Sequence, residues 1–202
     1  MTRFGVLISG SGTNLQSILD ACAAGEIAGE VAVVISNRGE AFGLERARDA
    51  GVHALHVDPK AFPDAAAYNH AVREALDAHE VDYVVMAGYM KLLGAEVLEA
   101  YPMRVLNIHP ALLPSFPGAH GIRDAFEYGV KVTGVTVHFA NEAFDEGPIV
   151  AQEAVPIMED DTPDTLEARI HTVEHRLYPA ALAAVADGRV VVEGRKVRIL
   201  SR

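Results

Sequence analysis

Short apolar runs alternate with amphipathic helical patterns over the first two-thirds of the chain. In the first helical segment Leu15, Ile18, Leu19 and Cys22 recur at the spacing of one helix face. Such alternation predicts βαβ units, and therefore an α/β fold with a single open, mostly parallel twisted sheet and helices on both faces. Strands are predicted at 4–9, 31–36, 53–57, 83–87 and 105–108, and helices at 14–24, 42–50, 64–78 and 93–100.

The pattern changes in the C-terminal part. Three prolines interrupt 110–120, which we predict to be an ordered loop. The elements predicted after it are strands at 131–139 and 149–155, antiparallel to each other, a helix at 162–186, and a terminal hairpin with strands at 190–192 and 197–200. Pro179 is expected to kink or split that helix. With no repeat or linker visible, we expect a single domain over 1–202.

Composition and charge narrow the class of protein. Of 202 residues, 50% are hydrophobic and 22% are charged, which is typical of a globular enzyme. No apolar run is long enough to cross a bilayer and no secretory signal pattern begins the chain, so we expect a cytoplasmic protein. The formal net charge is −11 and the basic residues are scattered, which argues against a nucleic-acid partner. The single cysteine, Cys22, excludes an internal disulfide.

The segment Ser9-Gly-Ser-Gly-Thr-Asn14 joins the first strand to the first helix. Its glycines let the backbone approach an anion, and a helix N-terminus offers unpaired N–H groups. A dinucleotide motif would need a glycine in place of Leu15, and a Walker motif would need a lysine, so neither is favoured. A single phosphate held by Gly12, Thr13 and Asn14 fits better. The alternative is a tight turn capped by Thr13 or Asn14.

A second candidate site lies at the end of the fifth strand. Asn107 and His109 should point to the same side of the strand, and ligands of open α/β sheets bind beyond the carboxyl ends of strands. An amide beside an imidazole suits acyl transfer, because the amide can stabilise an oxyanion while the imidazole moves protons. Asp145 could orient His109 and favour its charged form. The alternatives are polar residues satisfied by loop carbonyls and an aspartate that only shapes a turn.

The long helix contains His171-Thr-Val-Glu-His175, which matches the spacing of a zinc-protease motif. Such a site needs a third ligand, usually an acid further along the chain. Only Asp187 and Glu193 follow, in or near the terminal hairpin. We therefore favour an ordinary polar helix face and keep a zinc site as the alternative.

Six segments together resemble the folate-dependent formyltransferase family, and within it the phosphoribosylglycinamide formyltransferases. They are 8–15, 42–47, 87–90, 106–114, 136–139 and 145–148. The Asn-x-His-Pro block is common to folate formyltransferases. The segment 9–14, called the phosphate loop below, is what points to the phosphoribosylglycinamide group. The resemblance covers nearly the whole chain and implies a Rossmann-like formyltransferase fold with antiparallel strands added in the C-terminal third.

The resemblance also implies roles for particular residues. The catalytic residues would be Asn107, His109 and Asp145. The phosphoribosylglycinamide acceptor would be bound by Gly12, Thr13, Asn14 and Glu174, and the folate by Met90, Lys91, Leu92, Leu93 and Asn107, with His120 and His138 as secondary contacts. The reaction would transfer the formyl group of 10-formyltetrahydrofolate to the glycinamide amine in purine biosynthesis. It would need no metal, and the enzyme would be a monomer or homodimer acting on small molecules.

The chain departs from the family pattern at two positions. The family often carries a basic residue near Ala65, where it is thought to meet the folate, and here Lys60 could substitute. A basic residue is also frequent where Ser115 stands, and Arg123 could take over its contact.

Other functions remain open at this point. A methionyl-tRNA formyltransferase would need an added RNA-binding domain, and a 10-formyltetrahydrofolate hydrolase would normally carry a regulatory N-terminal domain. An alternative of another class is a non-catalytic module that binds phosphoribosyl ligands.

Overall fold

A computed structural model describes residues 1–142 and 145–201. Its strands are β1 (Thr2–Ile8), β2 (Gly29–Ser36), β3 (His53–His56), β4 (Tyr83–Met86), β5 (Val105–His109), β6 (Val132–Phe139), β7 (Ile149–Pro156), β8 (Val190–Glu193) and β9 (Lys196–Ile199). Its α-helices are α1 (Thr13–Ala23), α2 (Gly43–Asp49), α3 (Ala65–Ala78), α4 (Ala95–Leu98), α5 (Gly121–Tyr128) and α6 (Pro163–Ala186), and Pro59–Ala61 forms a 3₁₀ turn.

Seven strands form one sheet in the order β3-β2-β1-β4-β5-β6-β7. The first five in this order are parallel, and β6 and β7 are antiparallel additions. Because a parallel sheet is covered on both faces, its strands are apolar without interruption, as Val33, Val34 and Ile35 show by being fully buried. One buried apolar cluster includes residues of α1, α2 and α6, and a second includes residues of α3 and α4. The predicted α/β architecture, including the antiparallel additions, is confirmed.

The strand order reverses at β1, which lies between β2 and β4. The connections that leave β1 and β4 therefore diverge to opposite sides of the sheet and leave a crevice beyond their carboxyl ends. The segments that follow β1, β4 and β5 all begin at this edge. The topology thus brings together the phosphate loop, the 87–93 segment and the Asn107–His109 pair.

Two elements were not expected from the sequence, and of the two effects considered for Pro179 the splitting of the helix is wrong. The helix α5 follows the proline-rich loop and escaped prediction, although Ile122, Ala125 and Phe126 recur at the spacing of one helix face. The 3₁₀ turn at Pro59–Ala61 also escaped prediction. Pro179 does not split the long helix, since α6 continues from Pro163 to Ala186. Within 1–142 and 145–201, no helix is long and apolar enough to cross a membrane.

Tyr178 ties α6 to the centre of the sheet. Its side chain is fully buried, and its hydroxyl donates to the carbonyl oxygens of Met86 at 3.0 Å and Leu106 at 3.1 Å. These carbonyls belong to β4 and to the adjacent strand β5. Burial raises the pKa of Tyr178 well above its ordinary value, so the phenol stays a neutral donor. The contact anchors the helix that carries Glu174 against the strands that end at the crevice.

Replacing Tyr178 by Phe should lower the free energy of unfolding by about 1–3 kcal/mol, because two buried carbonyls lose a donor without a change in ring packing. Urea denaturation monitored by circular dichroism measures this loss. Tyr128→Phe is the control, since that ring is 79% exposed, and its effect should stay within about 0.5 kcal/mol. Equal stability of Tyr178→Phe and the native chain would contradict the anchoring role.

Candidate active site

A cleft of about 1010 Å³ opens at the crevice where the strand order reverses. It is bounded by the segments that follow β1, β4 and β5, by the start of α5 and by one face of α6. All of the residues to which the family resemblance assigned catalytic or substrate-binding roles line this cleft. Their assembly in one place is a geometric finding, while their chemical roles remain proposals.

His109 lies at the end of β5 between two acceptors. Its Nε2 is 2.7 Å from the carbonyl oxygen of Phe116, so this nitrogen carries a proton and donates. Its Nδ1 is 3.6 Å from Oδ2 of Asp145, a distance too long for a hydrogen bond. The imidazole is 4% exposed. The ring is therefore oriented through Nε2, and Nδ1 faces a carboxylate that also lines the cleft.

Asp145 approaches His109 from the turn that precedes β7. Its side chain is 4% exposed, Oδ2 accepts the backbone N–H of Gly118 at 2.8 Å, and Oδ1 lies 3.5 Å from Nε2 of His138. The backbone of Asp145 is left-handed, with φ of 55°, which costs energy in a residue other than glycine. A Cβ at Gly147 would stand 1.6 Å from the carbonyl oxygen of Phe139, so only glycine allows the turn to pack this closely.

The proton affinities of His109 and Asp145 depend on each other. Burial lowers the pKa of His109 below its ordinary value, and the Asp145 charge and the Phe116 carbonyl oppose that shift. Burial raises the pKa of Asp145, but hydrogen bonds from His138 and Gly118 and the charges of the two histidines outweigh it, so the pKa lies below its ordinary value. Asp145 is therefore a carboxylate at neutral pH, and its charge favours a proton on His109.

Asn107 and His138 lie side by side because β5 and β6 pair in that register. Nδ1 of His138 donates to the carbonyl of Phe139 at 3.0 Å, and its Nε2 is 3.2 Å from Nδ2 of Asn107. An amide nitrogen carries two N–H groups, so Asn107 keeps at least one for a ligand, whether Nε2 of His138 accepts from Asn107 or, when protonated, donates towards Asp145. Asn107, His138, Asp145 and His109 together form a continuous group of donors and acceptors on one wall of the cleft.

The phosphate loop has the geometry of an anion site. Gly12 occupies the N-cap position of α1 in a left-handed conformation with φ of 71°, and no side chain caps the helix. The alternative in which Thr13 or Asn14 is the cap is therefore wrong. A Cβ at Gly12 would also stand 2.6 Å from Cα of Gly43, so glycine is required by both backbone and packing. The uncapped N–H groups of α1 open into the cleft, where they could bind an anion.

Glu174 connects α6 to this loop. Its Oε2 accepts from Nδ2 of Asn14 at 3.0 Å, and Glu174 is 5% exposed. Burial raises the pKa of Glu174, although the Asn14 hydrogen bond and the His171 charge oppose the shift. Oδ1 of Asn14 is buried without a partner among the described residues, so this acceptor remains for a ligand.

The two histidines of the zinc-like motif on α6 contact each other, and one of them also lies near two carboxylates. The rings of His171 and His175 stack with centroids 6.0 Å apart, and Nε2 of His171 lies 3.7 Å from Glu167 and 3.9 Å from Glu174. Among residues 1–142 and 145–201, no group of three or more His, Cys, Asp or Glu side chains is arranged to hold a metal ion. We therefore describe His171 as a polar residue of the cleft wall.

The segment after β4 forms a more apolar part of the cleft wall. Met90 and Leu92 are 61% and 69% exposed, which is unusual for large apolar side chains and is typical of a ligand surface. The backbone N–H of Met90 donates to Oγ of Ser9 at 2.8 Å, which ties this wall to the phosphate loop. Nζ of Lys91 lies 5.5 Å from the centre of the Tyr68 ring.

Some residues of the cleft were not selected from the sequence. Ser9 and Arg38 follow the first two strands directly, so the rule that ligands bind at the carboxyl ends of strands could have found them. Of the two basic residues considered as replacements for family contacts, Arg123 lines the cleft and Lys60 does not. Nε of Arg123 donates to Glu127 at 2.6 Å on the exposed face of α5.

The chain is similar to known proteins over nearly its whole length. Residues 2–182 match the family model described as formyl transferase. A phosphoribosylglycinamide formyltransferase of Mycobacterium tuberculosis is 45% identical over 98% of this chain and 94% of its own length. That of Escherichia coli is 44% identical over 92% of this chain and 87% of its own length. The crystal structure of glycinamide ribonucleotide transformylase 1 from Symbiobacterium toebii superposes with a TM-score of 0.98, at 58% identity, covering 100% of this chain and 95% of that one.

Replacing Glu174 by Gln should stabilise the protein at neutral and alkaline pH, because the substitution removes the cost of charging a buried carboxyl. Since the folded-state pKa is raised above the ordinary value of 4.5, the native carboxyl costs nothing below that pH and its full penalty appears above the folded-state pKa. The gain should therefore be absent near pH 4 and reach about 0.5–2 kcal/mol at pH 8.

Urea denaturation of both chains across that pH range measures the effect. Glu26→Gln removes an exposed carboxylate and serves as the control, with no comparable pH-dependent gain expected. A Glu174→Gln variant less stable than the native chain at pH 8 would show that the charged carboxylate contributes to stability instead.

Proposed function

The chain belongs to the formyl transferase family, and we propose that it transfers a formyl group from 10-formyltetrahydrofolate to the glycinamide amine of 5′-phosphoribosylglycinamide, a step of de novo purine biosynthesis. The likeness to named phosphoribosylglycinamide formyltransferases extends over nearly all of this chain and of theirs. The observation that carries the assignment to the site is the single cleft that joins an anion-binding loop, an apolar wall and the Asn107–His109–Asp145 group.

The two ends of the cleft suit the two substrates. The N-terminus of α1, with Gly12, Thr13 and Asn14, would bind the phosphate of the acceptor, and Glu174 would meet its ribose-glycinamide part. The exposed apolar wall at Met90–Leu93 would hold the folate, with His120 as a secondary contact on the far side. Holding both substrates in one cleft could supply about 7–11 kcal/mol of the activation barrier.

The chemistry needs no enzyme nucleophile, because the acceptor amine attacks the formyl carbon itself. The attack produces a tetrahedral oxyanion. The remaining N–H of Asn107 and a protonated Nδ1 of His109 would donate to that oxygen. His109 can present Nδ1 because its Nε2 is already bound to the Phe116 carbonyl. Because Nδ1 lies 3.6 Å from Asp145 and is not committed to a hydrogen bond with it, Nδ1 can donate to a reacting group that enters from the cleft.

Proton transfer completes the reaction. The attacking amine loses a proton and the departing folate nitrogen gains one. Asp145 can accept a proton in this exchange, because it is a carboxylate at neutral pH and faces both His109 and His138. Its negative charge also favours the protonated form of His109 that would stabilise the oxyanion, and so opposes the lowering of the His109 pKa by burial.

Other parts of the proposal rest on the family likeness alone. A folate formyl donor is the expected co-substrate of a formyltransferase, and 10-formyltetrahydrofolate is the form we propose. A cytoplasmic location, a single domain and a monomer or homodimer stay predictions from the sequence.

The decisive experiment is an absorbance assay of deformylation of 10-formyltetrahydrofolate or its dideaza analogue, with and without phosphoribosylglycinamide. We expect deformylation only when the ribonucleotide is present. Deformylation without it would identify a hydrolase. Absence of any reaction in a folded sample would favour the non-catalytic binding module.

Asp145→Asn should leave the fold intact and lower kcat by about a hundredfold or more. The amide can still accept from the Gly118 N–H, so the turn keeps its contact, but the charge that supports a proton on His109 is gone. Steady-state kinetics measure the rate, and circular dichroism verifies the fold. Asp49→Asn on exposed α2 is the control. Turnover near that of the native chain in Asp145→Asn would exclude the assigned role.

A further inference from the structure

A row of three polar side chains crosses the antiparallel part of the sheet. His109 on β5 lies opposite Thr136 on β6, and Thr136 lies opposite Gln152 on β7. Residues directly opposite each other on adjacent strands project from the same face of the sheet. The side chains of His109, Thr136 and Gln152 are therefore neighbours on one face.

The loop that follows β5 folds back over this row and is bound by each of its members. The hydroxyl of Thr136 donates to the carbonyl of Ala111 at 2.7 Å and accepts the N–H of Leu113 at 3.1 Å. Nε2 of Gln152 donates to the carbonyl of Leu113 at 2.9 Å. His109 donates to the carbonyl of Phe116.

The Thr136 hydroxyl makes as many hydrogen bonds as a hydroxyl group can. A hydroxyl can donate once and accept twice. Thr136 donates to Ala111 and accepts from Leu113 and, at 2.9 Å, from Nε2 of Gln152. Because the only hydroxyl proton of Thr136 is donated to Ala111, the Gln152 atom that contacts this hydroxyl must be a donor, which is the amide nitrogen Nε2. The same Nε2 donates its second hydrogen to the Leu113 carbonyl, so one amide nitrogen ties β7 to both β6 and the loop.

Only a short tight turn separates the Leu113 anchor from the carbonyl that orients His109. The N–H of Ser115 donates to the carbonyl of Leu112 at 2.9 Å, and Phe116 then adopts a left-handed conformation with φ of 52°. On the other side, the Phe116 ring packs edge-on against Tyr128 of α5 at 5.8 Å. The Phe116 carbonyl is thus placed between two anchors, and the Gln152 amide is part of the first.

We propose that Gln152 is a positioning residue for the formyl transfer reaction, which acts by fixing the 110–116 loop so that the Phe116 carbonyl holds Nε2 of His109 and leaves Nδ1 for the reacting group. Gln152 itself is exposed on the edge strand and does not line the cleft, so it acts through the loop and not by touching a substrate. The kinetic consequence rests on the proposed function, whereas the effect on the imidazole does not.

The charged groups that face His109 are unchanged by substitutions at Gln152. They are Asp145 at Nδ1 and His138, while Nε2 meets the uncharged carbonyl of Phe116. That carbonyl raises the proton affinity of the ring. If the loop loosens, the pKa of His109 should fall and the Nε2–H tautomer should lose its preference.

The test compares Gln152→Met, which keeps the length of the side chain without a donor, and Gln152→Ala, which removes the amide without adding a charge. Glu153→Met is the matched control. It lies on the same strand with its side chain toward the other face, and it removes only a surface ion pair with Arg176. Proton–nitrogen NMR of imidazole-labelled protein gives the pKa and tautomer of His109, with His109→Asn identifying the signal.

We expect both Gln152 variants to lower the pKa of His109 and mix its tautomers, while Glu153→Met leaves both unchanged. In the acceptor-dependent assay kcat should fall by about tenfold, less than the hundredfold that a 1 Å misplacement can cost, with KM for both substrates unchanged. The His109 limb of the kcat–pH profile should move to lower pH.

Native pKa and tautomer of His109 in both Gln152 variants would overturn the proposal. So would a change confined to KM, or a loss of kcat equalled by Glu153→Met. If the native chain fails to transfer formyl at all, the proposed function falls, and the NMR comparison still decides whether Gln152 positions His109.

Discussion

The burial of the Asp145 carboxylate beside two imidazoles is the interaction on which the rest of the site depends. A charge removed from water is costly unless several donors replace the lost hydration. Here the Gly118 N–H, His138 and His109 surround it. Bringing Asp145 there requires a left-handed backbone and the absence of a side chain at Gly147. Local strain of this kind persists only where the surrounding structure holds it, and the paired strands β5 to β7 provide that support.

The same support explains why the two ring nitrogens of His109 have different partners. In hydrolytic triads the carboxylate binds one imidazole nitrogen and the other nitrogen reacts. In this chain a backbone carbonyl takes the orienting role at Nε2, so Asp145 is released from it and stays 3.6 Å from Nδ1. Asp145 can therefore adjust the charge of the ring and still exchange protons with a ligand. The arrangement needs a well-fixed carbonyl, which is why the loop contacts of Thr136 and Gln152 matter to the chemistry.

The sequence predicted those features that depend on local pattern. Asn107 and His109 could be paired because strand alternation fixes their relative direction, and the phosphate loop because glycines precede a helix. The sequence around Asp145 left open whether this residue orients His109 or only shapes a turn, because the residues that it contacts lie far from it in the chain. Gln152 could not be selected at all, because its neighbours follow from the register of β6 and β7. The helix α6 is not split at Pro179, because a proline deprives only one carbonyl of its helical partner and burial of the surrounding face keeps the helix continuous.

Electrostatics at the acceptor end raise a separate problem, because an acidic chain would have to bind a phosphate there. Two cations are available nearby, since Nε of Arg46 donates to the Ser11 carbonyl at 2.9 Å and Arg38 lines the cleft. The uncapped N–H groups at the start of α1 supply a positive field from backbone alone. Glu174, which is bound to Asn14 at that helix end, would repel a phosphate if it were fully charged. Burial shifts its pKa upward and so brings it closer to neutrality, and a protonated carboxyl can donate a hydrogen bond to the ligand instead of repelling it. The same burial that costs stability therefore makes an anion acceptable in the cleft.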